Sequence, residues 1–203
     1  MKLNVVSKTY QLIMNPVRSS FSAIIILFIT QLIVTPMFGQ SSNKVTQNVL
    51  RINAINPGVE IEMAILSKST ISANLGVGLG NMYENTASSW ATGEIIYMTS
   101  PFADVEYKYF YNFKKRESKG KNLDFNSGNF FSFRCLGRGK AIESNFTRYE
   151  DYDLAFGANW GIQRSFKRVH LLFELGAIYY TDGTRNGFAP SLQFNLGYDI
   201  FKF

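Results

Sequence analysis

Two stretches of this chain alternate apolar residues with small polar ones. In the first, Leu154, Phe156, Ala158, Trp160 and Ile162 interleave with Ala155, Gly157, Asn159, Gly161 and Gln163. In the second, Ile71, Ala73, Leu75, Val77 and Leu79 interleave with Ser72, Asn74, Gly76, Gly78 and Gly80. Successive side chains leave a strand on opposite faces, so a period of two specifies strands. The polar face narrows the choice of strand protein. A strand half in water usually carries Lys, Glu and Thr there. Gly, Ser, Asn and Gln instead suit the cramped, wet interior of a narrow barrel whose apolar face meets lipid.

The N-terminus points to export. Lys2, Lys8 and Arg18 precede an apolar run from Ala23 to Val34, followed by Pro36 and the small residue Gly39, and no acid occurs before Glu60. A basic start, a short apolar run and a small exit residue describe a cleaved signal peptide over 1–39, with Met1 or Met14 as the start. The run falls short of the roughly 20 residues of a spanning helix. An uncleaved inner-membrane anchor is the alternative. Cleavage leaves one domain over 40–203. Losing those three cations lowers the formal net charge from +6 to +3, which gives no reason to expect a nucleic-acid partner. Cys135 is the only cysteine, so it has no disulfide partner within the chain and reads as a small packing residue.

Eight segments read as strands: 46–54, 59–65, 71–80, 96–111, 129–136, 154–163, 169–179 and 190–203. Turns are expected at Asn56-Pro57-Gly58, where Pro presets φ and Gly permits a positive φ, at Lys68-Ser69, at Ser165-Phe166-Lys167 and over 182–187. The predicted fold class is all-β, an eight-stranded antiparallel up-and-down transmembrane barrel. An even strand count puts both termini on the periplasmic side and the loops at 81–94, 137–151 and 181–187 outside the cell. The connection from Phe113 to Gly128 breaks the pattern, being long yet periplasmic by parity. Tyr107, Tyr109 and Tyr111, then Tyr179 and Tyr180, then Tyr198, Phe201 and Phe203 sit at strand ends and read as interfacial girdles.

The stretches Asn48 to Glu60, Asn74 to Gly80 and Tyr107 to Asn112, with the basic run that follows, together resemble the small, mostly uncharacterised bacterial outer-membrane β-barrel proteins that end in Phe. The resemblance implies that the last strand is read by the barrel-insertion machinery through Asn195, Gly197, Ile200, Phe201 and Phe203. Ile200 shares the outward parity of Leu192 to Tyr198, whereas Phe201 and Phe203 have the opposite parity. A bulge near Asp199 would reconcile them.

The most specific candidate site is a set of inward charges, with Arg51, Lys108, Arg134 and His170 facing Glu60, Glu62, Asp104, Glu106 and Glu174. Charges in so narrow a lumen must be paired or wetted, and a network that plugs the barrel answers that need. Catalysis has little to use. His170 is the only histidine and falls on the inward face, and the residue two after it is Leu172, not a serine. Lys114, Lys115, Arg116, Lys119 and Lys121 form a basic periplasmic loop suited to an anionic partner. Glu150, Asp151 and Asp153 could hold a calcium ion but lack a glycine-containing loop, and Asn145-Phe146-Thr147 is a sequon with little meaning in an outer membrane.

The expectation is therefore a non-enzymatic, monomeric integral outer-membrane barrel in a structural or surface-interaction role. Its lumen is closed by side chains, it uses no cofactor or metal, and its partners are outer-membrane lipid and the insertion machinery. The alternatives are a soluble lipocalin-like barrel binding a small apolar ligand, which reverses the two faces, and an outer-membrane lipid-modifying enzyme.

Overall fold

The computed structural model describes residues 45–80, 97–146, 148 and 150–203. The signal peptide, the choice of start, the 81–94 loop and Ile96 lie outside the described residues. The elements are β1 (Val49–Asn53), β2 (Gly58–Leu66), β3 (Ser69–Gly80), β4 (Met98–Phe110), a short helix α1 (Phe113–Glu117), β5 (Gly128–Arg138), β6 (Glu143–Ser144), β7 (Asp153–Phe166), β8 (Val169–Thr181) and β9 (Asn186–Lys202). Apart from the two-residue β6, which lies against the start of β4, each strand pairs antiparallel with the strands before and after it. β9 also pairs with β1, which makes the arrangement ring-like.

The alternation sorts side chains by polarity as the sequence predicts. Arg51, Glu62, Lys108, Gln163, His170 and Glu174 are almost fully buried inside, while Leu75, Leu79, Phe133 and Leu192 are 57–69 % exposed outside. Two small apolar clusters flank the buried charges. Phe110, Phe113, Phe130 and Leu172 lie toward the end where β1 begins and β9 finishes, and Ala155, Ile178, Tyr180 and Ala189 toward the other. Tyr180 therefore faces inward and does not join Tyr179 in an outer girdle.

Several boundaries differ from expectation for identifiable reasons. β1 begins at Val49 because Thr46 and Gln47 bond elsewhere, Thr46 donating to the Leu66 carbonyl at 2.6 Å. At the first turn the positive φ belongs to Asn56 (55°), not Gly58. Asn tolerates that region, and its Oδ1 accepts from the Leu79 N–H at 2.9 Å. Gly58 is needed for space, since a Cβ there would lie 2.7 Å from the Leu75 carbonyl oxygen. Alternation in β2 lapses at Ile65, where the pairing with β3 skips a residue. Ser165 and Phe166 remain in β7, and the turn shifts to Lys167, whose φ is 58°. β9 starts at Asn186, so Pro190 lies inside it, in a stretch where β1 has already ended and a missing N–H is tolerated.

Small residues on the inner face set how closely strands approach. At Gly176 a Cβ would lie 2.2 Å from the Ala158 carbonyl oxygen and 2.8 Å from the Asn159 Cα, and backbone cannot swing aside. Gly176→Ala is expected to cost about 1–3 kcal/mol in urea unfolding, the range for overpacking a tight interior. An unchanged midpoint would show that β7 and β8 can part at no cost.

Candidate functional site

β1, β2, β4, β8 and β9 bring the inward charges together around Arg51. Its guanidinium reaches Glu60 at 2.9 Å, Glu62 at 2.9 Å and Asp199 at 3.1 Å, and all four side chains are buried. Two cross-strand pairings, Arg51↔Glu60 and Arg51↔Asp199, place those carboxylates on either side of it. Lys108 extends the cluster to Glu106 at 3.4 Å and Glu60 at 3.7 Å, and donates to Gln163 Oε1 at 3.2 Å. Gln163 in turn donates to Glu62 at 3.0 Å. A branched ionic network thus ties together strands that are not neighbours in the ring.

Of the other predicted charges, Glu174 meets this branch through Glu106 and Arg134 stands apart from it. Arg134 forms its own pair with Asp104 at 2.7 Å and donates to Gln193. His170 Nδ1 lies 3.9 Å from Asp199, and neither ring nitrogen has a hydrogen bond among the described residues. Glu174 is buried against the Glu106 carboxyl, with which it shares a side-chain hydrogen bond, and no N–H or hydroxyl among the described residues reaches its oxygens. A small cavity of about 70 Å³ reaches in beside Arg134, Ser100, Asn74 and Asn195, which is room for a few waters only.

Asp199 was not singled out from the sequence, although its parity with Gln193, Asn195 and Gly197 marked it as inward. Ser165, expected in a turn, lies in β7 and donates to Asp199 Oδ2 at 2.6 Å. Ser165 and His170 stand opposite each other across β7 and β8, and both lie against the Asp199 carboxylate. The serine proton goes to Asp199 rather than to the imidazole, so the histidine is not placed as its base. Arg138 and Arg148 both hold Asp153 at 2.9 Å, and Arg148 also donates to the Asp151 carbonyl at 3.2 Å. Cys135 lies on the outer face of β5, half-buried opposite Phe156.

The connection that broke the expected pattern has structure of its own. Helix α1 starts it, and a 3-10 turn at Asp124–Asn126 follows. Phe113 and Asn126 are buried, and Phe113 stacks on Phe110 with centroids 4.6 Å apart. Asn126 bonds to Gln47 in both directions (2.7 and 2.8 Å), Ser127 accepts from the Ser165 N–H, and the Phe125 carbonyl accepts from Gln163. The segment thus leaves β4, contacts the residues leading into β1 as well as β7 and β9, and returns to β5. Such a path crosses the end of the ring. Phe125 and Asn126 both take positive φ to make it, and the sequence carried no glycine there to announce the bend. Lys202 closes the crossing with a 2.6 Å bond to Asp124. That ammonium holds the Asp124 carboxyl below its ordinary value. The contact is therefore present above the normal aspartate range and is lost as pH falls through the lowered value.

The predicted insertion residues divide by face. Asn195 and Gly197 are buried inside, whereas Phe201 and Phe203 are exposed with rings 5.5 Å apart. The bulge near Asp199 is present: Leu50 pairs with Phe201 and Arg51 with Asp199, leaving Ile200 as the extra residue. It lets Asp199 face in and Phe201 face out. Lys114, Lys115 and Arg116 lie on α1 and Lys119 and Lys121 just after it, at the end where β1 begins and β9 finishes. The chain matches no family model, no curated protein and no solved structure.

Proposed function

We propose that this chain is an integral protein of a bacterial outer membrane, an eight-stranded antiparallel up-and-down transmembrane barrel with a non-enzymatic structural or surface-interaction role. Residues 1–39 direct export and are removed. The last strand engages the insertion machinery through Asn195, Gly197, Ile200, Phe201 and Phe203, as the resemblance to small barrels ending in Phe implies.

One observation carries this reading. The faces are inverted relative to a water-soluble protein, with ion pairs within and exposed Leu, Val and Phe without. Burying a Leu or Phe is worth about 1.5–3 kcal/mol, so a soluble fold would leave much of its driving force unused. Hydrocarbon around the ring recovers that energy, and antiparallel closure satisfies the backbone polar groups there. Tyr107, Tyr109, Tyr111 and Phe131 on the outer wall at one end, and Tyr179 and Phe188 at the other, suit the two interfaces. The central ionic network and the crossing segment favour a lumen closed by side chains. A lipocalin-like ligand site would need an apolar interior, and the described interior is mostly charged and polar.

Gel migration of a membrane fraction with and without boiling tests the reading. The expected result is a faster band in unheated samples, the mark of a barrel that resists detergent until heated. Recovery of the chain wholly in the soluble fraction after osmotic shock would overturn it.

A further inference from the structure

We infer that the outer wall at the end where β1 begins and β9 finishes holds a binding site for an anionic phosphate group, supplied in the membrane by a phospholipid headgroup. The inference rests on the outer-membrane reading above.

A groove of about 380 Å³ lies beside α1, lined by Lys115, Arg116, Lys119, Lys121, Arg164 and Tyr111 among others. That volume is within the usual range for small-ligand sites. Its five cations come from separate parts of the chain. The sequence showed only the run in the connection, and the pairing of β5 with β7 adds Arg164.

None of the five is paired with a carboxylate among the described residues. Arg164 is clamped by neutral oxygens, donating to the Gly128 and Gln163 carbonyls at 2.7 and 2.6 Å and to Asn129 Oδ1 at 2.5 Å. Arg116 donates to the Asn122 carbonyl at 2.7 Å, and its Nε is buried with no partner among the described residues. Glu117 sits on the same helix but does not line the groove. Carbonyls fix the guanidinium groups without neutralising them, so the positive charge remains available and repels itself until an anion enters. Guanidinium forks and ammonium groups together are the donor set that phosphate oxygens take.

The height of the groove identifies the source of the phosphate. Tyr111 contributes its hydroxyl, which also accepts from Trp160 Nε1 at 2.9 Å and Asn129 Nδ2 at 3.3 Å, and its ring packs on Phe131 at 5.2 Å. These outward aromatics mark the level where headgroups meet acyl chains. A phospholipid of the same leaflet could place its phosphate among the cations and its chains along Phe131 and Phe133.

Native mass spectrometry of the mature chain folded in neutral detergent tests the site, with phosphatidylglycerol and phosphatidylcholine offered in equal amounts. Heat-modifiable migration is recorded first for every protein. The expected result is one phosphatidylglycerol retained at least tenfold over phosphatidylcholine. Lys115→Gln, Lys119→Gln and Lys121→Gln all change exposed side chains, and each should lower that preference about fivefold, the effect of about 1 kcal/mol per cation near a headgroup. Lys68→Gln with Lys167→Gln, at the same end but outside the groove, should leave it unchanged. Displacement by inorganic phosphate only in large excess assigns the site to the headgroup. Displacement at comparable concentration assigns it to the free anion. A folded, heat-modifiable protein with no lipid preference, or with equal losses in both sets of variants, overturns the site alone. A chain that is not heat-modifiable overturns the outer-membrane reading and the lipid source with it.

Discussion

Arg51→Ala is expected to destabilise the folded chain by about 3–5 kcal/mol, measured by reversible urea unfolding in lipid vesicles. The arginine is fully buried and is the shared partner of Glu60, Glu62 and Asp199, at 2.9, 2.9 and 3.1 Å. Removing it leaves three carboxylates in a confined space, with Lys108 the nearest remaining cation on the same branch. Breaking a buried ion cluster from one side costs that much because the surviving charges keep their desolvation penalty and lose its compensation. A second variant separates this cause from lost packing. Arg51→Met combined with Glu60→Gln, Glu62→Gln and Asp199→Asn removes the charges from both sides and should recover most of the loss. Arg51→Ala within 1 kcal/mol of the parent would show that water reaches the cluster freely and that the network does not hold the ring together.

Leu175→Arg gives the second large effect and discriminates between the two environments of the outer wall. Leu175 lies halfway along β8, 51 % exposed, paired with Trp160 on one side and Leu192 on the other. In hydrocarbon an arginine at that depth costs about 2–4 kcal/mol. On a wall that faces water the same change falls within about 0.5 kcal/mol, as for most surface substitutions. Unfolding of both proteins in the same vesicles gives the difference directly. A neutral result would place this wall in water and remove the main support for the outer-membrane reading.

The network and the wall differ in how far the sequence revealed them. Every charge assigned inward from the alternation faces inward, because a strand allows its side chains only two directions. The same rule covers Asp199, whose inward direction is masked in the sequence by the bulge that turns Phe201 outward. Partners were another matter. That Arg51 holds Glu60, Glu62 and Asp199 while Arg134 pairs separately with Asp104 depends on register and on which strands meet when β9 returns to β1. Glu174 shows the same limit. Its direction was legible, but its partner, the Glu106 carboxyl, was not.

The connection between β4 and β5 was the least legible part. Its helix of five residues is too short to show a 3.6-residue pattern, and its bend uses Phe125 and Asn126 at positive φ rather than glycine. Its anchors, Gln47, Gln163, Ser165 and Lys202, are far away in sequence. Length and parity marked the segment as anomalous, and only the folded arrangement shows it crossing the end of the ring. The groove beside it follows the same rule, with four of its cations visible as a run and Arg164 added by strand pairing.

By itself, then, the sequence determined the strands, the side of each strand on which a residue lies, and the contrast between a polar inner face and an apolar outer one. Those properties are local, since a period of two is written residue by residue. The tertiary structure decided which inward charges pair, which remain without a donor, what covers one end, and where isolated cations converge. These depend on closure of the ring and on contacts across it, which bring together residues as distant as Arg51 and Asp199.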